Sequence, residues 1–159
     1  LWTQNAEEGG GRIAGEVCHF IDLMQFLTGA PPVSVFAESI SAKSSKIVDA
    51  DSVFITLRFA DGSNGAVAYL SEGDKGLPKE RLEIFGAGRV FVLDDFRRAT
   101  LYKDGREEQV VLKAQDKGQQ AQVREICKGN AISLDELAAT TRATFRVLDS
   151  LRERRPFEI

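Results

Sequence analysis

The spacing of apolar residues along the chain predicts one helix, then a series of strands, then two more helices. Between Arg12 and Thr28, apolar side chains recur every three or four positions, so they fall on one stripe of an α-helix. Gly29 and the two prolines that follow it are signals that end a helix. The residues of the predicted stripe are Ile13, Val17, Phe20, Ile21, Met24 and Leu27.

An alternating pattern begins at Ser52, with the period of two that a strand shows when one of its faces is buried. Apolar runs flank Asp61-Gly62, Gly86-Ala87-Gly88 and Asp104-Gly105, which are turn sequences, so three hairpins of antiparallel strands are predicted. The predicted strands cover residues 33–37, 52–59, 66–70, 81–85, 90–93, 100–103 and 108–112, with a short edge strand at 157–159.

Two helices are predicted near the end of the chain. The first spans residues 116–128, and the second spans 133–154 and opens with Ser133 and Glu136 at capping-box spacing. A helix, a run of strands and further helices predict an α+β fold: a large, mainly antiparallel open β-sheet with helices packed on one face. The inward stripe predicted for the last helix is Leu137, Thr141, Thr144, Phe145, Leu148 and Leu151.

Composition narrows the class of protein. The 159 residues are 43% hydrophobic and 28% charged, which suits one core, so residues 1–159 are expected to form a single domain. The net charge of −3 argues against a nucleic-acid partner, and no apolar run is long enough to cross a membrane. The chain begins without Met or a signal-like segment, which indicates a piece of a longer chain. Cys18 and Cys127 are expected to be buried free thiols of a cytoplasmic protein.

Both faces of the predicted sheet carry apolar residues, whereas a sheet with one solvated face alternates more cleanly. This pattern favours a homo-oligomer in which a second subunit covers the outer sheet face. The alternative is that the strand pattern is simply irregular. The apolar residues at the alternate positions are Phe54, Ala66, Ala68, Leu70, Phe85 and Phe91.

The single histidine is the first candidate for chemistry. Glu16 and Asp22 stand three residues before and after His19, so the three side chains can be neighbours on one flank of the helix. A carboxylate beside an imidazole holds its tautomer and suits proton transfer. The alternative is a helix surface with ordinary solvated charges. One histidine and two carboxylates lack a third convergent ligand for a metal, so no metal site is expected.

Two glycine-rich segments partly match the glycine pattern of a dinucleotide-binding motif. Residues 9–14 fit G-x-G-x-x-A and precede a helix, but the residues before them are polar and predict no strand. Gly86-Ala87-Gly88 leads into a strand and not into a helix. Because no βαβ unit is predicted anywhere in the sequence, the chain alone is not expected to bind NAD in the Rossmann manner.

Four segments together resemble the glucose-fructose oxidoreductase / inositol dehydrogenase / MocA family. Residues 9–23 resemble the helix that opens the substrate domain of that family, which carries a Gly-Gly pair, an Asp, a His four positions later and an Asp three beyond. Residues 59–65, 82–88 and 117–119 resemble later parts of the same domain. The helix motif is fairly specific, and the other segments add weight because they occur in the same order.

The resemblance implies a hydride-transfer enzyme that acts on a sugar, a nucleotide-sugar or a cyclic polyol. It also implies a Rossmann domain, absent from this chain, that binds most of the NAD or NADP; no cofactor is expected for the chain alone. His19 stands at the family's His position and Asp22 at the later Asp, while Gly15 replaces the upstream Asp and Glu16 is the neighbouring carboxylate. The implied catalytic residues are His19 and Glu16, and the implied substrate-binding residues are Arg12 and Asp22.

Two other functions stay open beside the enzymatic one. The chain can be a non-catalytic oligomerisation module, and the departure at Gly15 keeps that interpretation in play. It can also be a small-molecule-binding module that shares the fold, because a fold does not fix a function. For an enzyme, the partner is a small-molecule substrate, and the loop over residues 71–79, which is long enough to be functional, is hypothesised to contact it.

Overall fold

A computed structural model of the chain describes residues 11–40, 52–71 and 73–159. The polar lead-in before residue 11 and most of the loop predicted after strand 33–37 lie outside these residues. The chain divides into two compact units, one formed by Leu1–Glu72 with Ile132–Ile159 and the other by Gly73–Ala131. That residues 1–159 act as a single domain stays a prediction.

Helices and strands of the described residues follow the predicted order. The first helix contains a π-helical turn, Ile13–Val17, and continues as α1, Cys18–Thr28. The other helices are α2, Gln119–Cys127, and α3, Leu134–Glu153. The strands are β1 Pro32–Ser39, β2 Val53–Phe59, β3 Asn64–Tyr69, β4 Arg81–Gly86, β5 Arg89–Asp94, β6 Arg98–Lys103, β7 Arg106–Val111 and β8 Phe157–Glu158.

The first unit is a four-stranded antiparallel sheet with helices on one of its faces. Its strand order is β3-β2-β1-β8, and Val35 of β1 lies opposite Leu57 of β2. Burial along β2 alternates strictly, which confirms the predicted period of two. Helix α3 packs on β1 and also contacts α1. The buried core contains Ile13, Val17, Ile21, Ala30, Val35, Ala37, Val53, Ile55, Leu57, Phe59, Val67, Ala143 and Val147.

The buried face of α3 differs from the predicted stripe. Leu137 and Phe145 are 45% and 57% exposed, so their assignment to the core is wrong. Small side chains face inward in their place, and they let the helix approach the sheet closely enough for a side chain to reach the strand backbone. The Ala37 amide donates a hydrogen bond to the hydroxyl of fully buried Ser150 at 2.9 Å. The buried residues of α3 are Ala139, Thr140, Ala143, Thr144, Val147 and Ser150.

The inward side of the first helix follows the prediction from Ile13 to Met24, about three turns, and then departs from it. Leu27 is 42% exposed, contrary to the prediction, and Gln25 is buried. The Gln25 side-chain amide donates to the carbonyl of Glu136 at 3.1 Å, which fastens α1 to the first turn of α3. The nitrogen of this buried amide is thus satisfied, while its Oε1 has no hydrogen-bond partner among the described residues, so the contact with α3 and not the apolar pattern decides this face of the helix.

The second unit contains a four-stranded antiparallel meander in the order β4-β5-β6-β7. The predicted hairpins at 86–88 and 104–105 are confirmed, each with two successive residues of positive φ, as a type I′ turn requires. A third turn of this kind, at Asp95 and Phe96, joins β5 to β6. The α+β class with antiparallel strands is confirmed, and the strands of the described residues form two four-stranded sheets where the pattern suggested one large sheet.

The two cysteines and the length of the helices bear on two further predictions. Cys127 is exposed and Cys18 is half-buried, so the prediction of two buried thiols is wrong. In the described ranges, no helix has the length and apolar character needed to cross a membrane.

Candidate functional site

The four residues singled out from the sequence lie on one helical segment. Arg12 precedes the π-helical turn, Glu16 lies inside it, and His19 and Asp22 belong to the first turns of α1. A π-helical turn pairs residues five apart instead of four, and such turns occur frequently at functional sites. The turn changes the angles between side chains on its two sides, so spacing in the sequence alone does not fix which of them meet.

The ring of His19 is exposed, and the main chain of Glu16 orients it. The Nδ1 atom lies 3.0 Å from the carbonyl oxygen of Glu16. A carbonyl oxygen can only accept, so this hydrogen bond requires the proton of the neutral imidazole to be on Nδ1. The lone pair of Nε2 is then available to accept a proton from another molecule.

The carboxylate of Glu16 bonds to a residue that the sequence did not indicate. The phenol of Tyr69, at the end of β3, donates a hydrogen bond to Oε2 of Glu16 at 2.7 Å. The ring of Tyr69 also lies 6.4 Å from that of Phe20, at a tilted angle. The turn before His19 is therefore joined to the sheet by a short, charge-assisted hydrogen bond.

The protonation state of Tyr69 follows from its surroundings. Burial of the phenol and, next, its hydrogen bond to the negatively charged Glu16 raise the pKa of Tyr69 above its ordinary value. The guanidinium of Arg12 also acts on this phenol, with the opposite and smaller effect on the pKa. Tyr69 is thus a proton donor that keeps its proton, and Arg12, Glu16 and Tyr69 form one polar cluster.

The side chain of Asp22 contacts helix α3 and not the cluster of Arg12, Glu16 and Tyr69. Its carboxylate accepts a hydrogen bond from the Thr140 hydroxyl of α3 at 3.4 Å, at the long end of the range for such bonds. The structure brings Arg12 and Glu16 together through Tyr69, and it brings His19 to the main chain of Glu16. The catalytic and binding roles assigned to these residues from the sequence stay predictions.

Two neighbours of His19 limit the chemistry. The Cys18 sulfur lies 3.8 Å from Nδ1, but burial raises the pKa of this thiol, which therefore resists forming the thiolate that a nucleophile needs. Gly15 has open space around it, since a Cβ atom added there meets nothing within 4 Å. The position where the resembling family carries an Asp thus has room for a side chain and does not supply one.

Tyr69 could not be found by reading the sequence because its partner lies 53 residues earlier. The register of β2 with β3 places Tyr69 opposite Val53, on the side of the sheet that faces the helices. Its neighbours Ala68 and Leu70 are exposed on the other side. Alternation therefore predicts an inward Tyr69, but no local signal shows which helix residue it meets.

The described residues offer neither a metal site nor a dinucleotide-binding unit. Over residues 11–40, 52–71 and 73–159, no group of three or more His, Cys, Asp and Glu side chains is arranged to hold a metal ion. All strand pairs in the same ranges are antiparallel, so the described part of the chain does not offer the parallel strand–helix–strand unit that cradles a dinucleotide.

Solved structures with this fold include oxidoreductases that act on sugars. An aldose-aldose oxidoreductase from Caulobacter crescentus, complexed with glycerol, is 20% identical, with a TM-score of 0.76 over 100% of this chain and 51% of that one. A UDP-N-acetylglucosamine 3-dehydrogenase from Acidithiobacillus ferrooxidans is 24% identical, with a TM-score of 0.66 over 87% of this chain and 46% of that one. An oxidoreductase from Agrobacterium radiobacter, in complex with NAD+, L-tartaric acid and magnesium, is 18% identical, with a TM-score of 0.67 over 90% and 47%.

These likenesses show an α+β domain of the kind found in oxidoreductases. The sequence profile of the GFO/IDH/MocA C-terminal domain matches residues 1–91, more than half of the chain, so the chain belongs to that family. A comparison with curated protein sequences finds no match. The chain spans about half the length of the solved structures that it matches.

Proposed function

We propose that this chain is the substrate-side domain of an NAD(P)-dependent oxidoreductase that acts on a sugar, a nucleotide-sugar or a cyclic polyol. Membership of the family supports the reaction type. The aldose and UDP-N-acetylglucosamine enzymes among the structural matches support the substrate class. In this proposal the nicotinamide, bound mainly by a Rossmann domain outside this chain, supplies the hydride donor or acceptor.

The observation that carries the proposal is the orientation of His19. Its Nδ1 is engaged by the carbonyl of Glu16, and the ring is exposed. Nε2 can therefore accept the proton of a substrate hydroxyl while the carbon that bears it is oxidised, and can return a proton in the reverse direction. Glu16 stands about one helical turn before His19 and Arg12 about two, and they offer an acceptor and a donor for neighbouring hydroxyls.

Replacement of His19 in the full-length enzyme tests this role. We expect His19→Ala to lower kcat by about 10²- to 10⁴-fold, the usual contribution of a general acid or base. Arg142→Ala, at an exposed position of α3, is the matched control and should leave kcat unchanged. An unchanged rate for His19→Ala would remove His19 from the mechanism.

Calorimetry on this chain and on the full-length protein, side by side, tests which part of the protein binds the cofactor. We expect NAD(P) to bind only the full-length protein, because the described part of this chain offers no parallel strand–helix–strand unit. Tight dinucleotide binding by the chain alone would contradict the proposed assignment of the cofactor to the other half.

A second proposed function, assembly, is favoured by the outer face of the first sheet. Phe54 and Leu70 are 52% and 55% exposed there, and a groove of about 640 Å³ lies among Phe36, Thr56 and Ala66. We propose that a second copy of the chain covers this face, because exposed apolar patches mark surfaces of interaction. Phe54→Asp should lower the molar mass measured by light scattering, whereas an unchanged mass would argue against this interface.

A further inference from the structure

Tyr69 and Glu16 are joined by a bond that has a direct bearing on His19. Glu16 precedes His19 by three residues, a spacing at which helix side chains are neighbours and a carboxylate can pair with an imidazole. In the structure the carboxylate bonds instead to the phenol of Tyr69 at 2.7 Å, and only the main-chain carbonyl of Glu16 meets the imidazole.

We propose that Tyr69 is a positioning residue: it holds the Glu16 carboxylate away from His19, so that His19 keeps its proton on Nδ1 and presents a bare Nε2. This inference rests on the proposed role of His19 as the proton carrier of the reaction. It adds a residue from the sheet to a site that otherwise lies on one helical segment.

The charges around the phenol fit this role. Tyr69 keeps its proton, since burial and the charge of Glu16 both raise its pKa. A phenol has one proton to donate, and it goes to Oε2 of Glu16. The Arg12 guanidinium acts on the same phenol, so the carboxylate lies in a cluster with a cation and a hydrogen-bond donor. These two groups stabilise the negative charge of the carboxylate, which an imidazolium would otherwise do.

Release of the carboxylate has a definite chemical consequence. A free carboxylate next to an imidazole accepts hydrogen bonds from it and favours a proton on each ring nitrogen. A base whose Nε2 already carries a proton cannot take one from a substrate hydroxyl. Tyr69→Phe removes only the phenolic oxygen and keeps the ring that packs against Phe20, so it frees Glu16 with little change in packing.

The composition of the chain makes the test simple, because it has one histidine and two tyrosines. Nitrogen-15 NMR of the imidazole reports the protonation of His19 without overlap. In the unmodified chain we expect the proton on Nδ1 and a bare Nε2, as the hydrogen bond to the carbonyl of Glu16 requires. In Tyr69→Phe, the fraction of molecules with a protonated Nε2 should rise several-fold, while Tyr102→Phe, the matched control, leaves the spectrum unchanged.

A double variant separates positioning from damage to the fold. Glu16→Gln removes the negative charge that Tyr69→Phe releases, so the double variant should return Nε2 to its bare state. A histidine spectrum that does not change in Tyr69→Phe would overturn the inference. So would a change that persists in the double variant, because it would then not pass through the Glu16 carboxylate.

Kinetics in the full-length enzyme keep this inference distinct from the proposed function. Tyr69→Phe should lower kcat about two- to fivefold, in step with the fraction of His19 that loses its bare Nε2, with KM changed less than about twofold. If His19→Ala leaves kcat unchanged, the proposed function fails even where the NMR result holds. If His19→Ala lowers kcat and Tyr69→Phe changes neither the rate nor the spectrum, the positioning role fails and the proposed function stands.

Discussion

Gly65 on β3 is the position where a single methyl group has the clearest expected cost. A Cβ atom built there would lie 2.6 Å from Sδ of Met24 and 3.4 Å from the ring of Phe59. Gly65 lies in a strand, where alanine is allowed, so the lower entropy of the unfolded chain would stabilise Gly65→Ala by about 0.4–1 kcal/mol. Overpacking costs about 1–3 kcal/mol, and the contact here is with the end of the flexible Met24 side chain, which can shift. We therefore expect the overpacking cost at the low end of that range and a net loss of up to about 1 kcal/mol in the free energy of unfolding.

The assay is urea unfolding of four chains: the unmodified protein, Gly65→Ala, Met24→Ala and the double variant. Removal of the Met24 side chain should abolish the cost of the added methyl, which gives a coupling energy of at least about 1 kcal/mol. Gly86→Ala, also in a strand and with nothing within 4 Å of its added Cβ, is the matched control. The packing argument is refuted if Gly65→Ala is as stable as the control, or if its cost is the same with and without Met24.

Two further predictions concern α3. Ser150→Ala should lower the free energy of unfolding by about 2–3 kcal/mol, because it leaves the Ala37 amide and the Arg155 carbonyl without their buried partner; an unchanged urea midpoint would contradict this. The bonds that Ser133 donates to Glu136 lower the pKa of that carboxyl, so its charged form favours the folded state. The advantage of the native chain over Glu136→Gln in melting temperature should therefore be present at neutral pH and disappear as the pH falls through the lowered pKa, and a pH-independent difference would refute it.

The parts of the fold that the sequence predicts well are those in which the signal is local. The hairpin turns at Ala87-Gly88 and Asp104-Gly105 need two residues of positive φ, and a Gly or Asp within the pair announces them. The capping box at Ser133 is equally local, and all of its hydrogen bonds are formed. The turn at Asp95 and Phe96 was not signalled, because phenylalanine rarely adopts a positive φ and its presence there follows from the strands on either side.

The parts that sequence reading missed depend on contacts between distant elements. Leu137 and Phe145 have large apolar side chains, yet they are exposed, and small side chains of the same helix are buried against the sheet because they permit close approach. In the candidate site, Glu16 and His19 are three residues apart, so the sequence indicates that they are neighbours. The partner of the Glu16 carboxylate is Tyr69, which belongs to a strand. Periodicity fixes the side of an element on which a residue lies, and not the residue that it meets there.

The π-helical turn at Ile13–Val17 has a consequence for how this helix changes during evolution. Such a turn holds one residue more than an α-helical turn, so loss of a single codon converts one into the other. Deletion of Gly15, which has open space around it, would rotate Arg12 by about 100° relative to His19. Arg12 would then leave the neighbourhood of Tyr69 while the chain after the deletion kept its packing. Homologues with one residue fewer in this helix should therefore present different groups beside the same imidazole, and their substrates should differ accordingly.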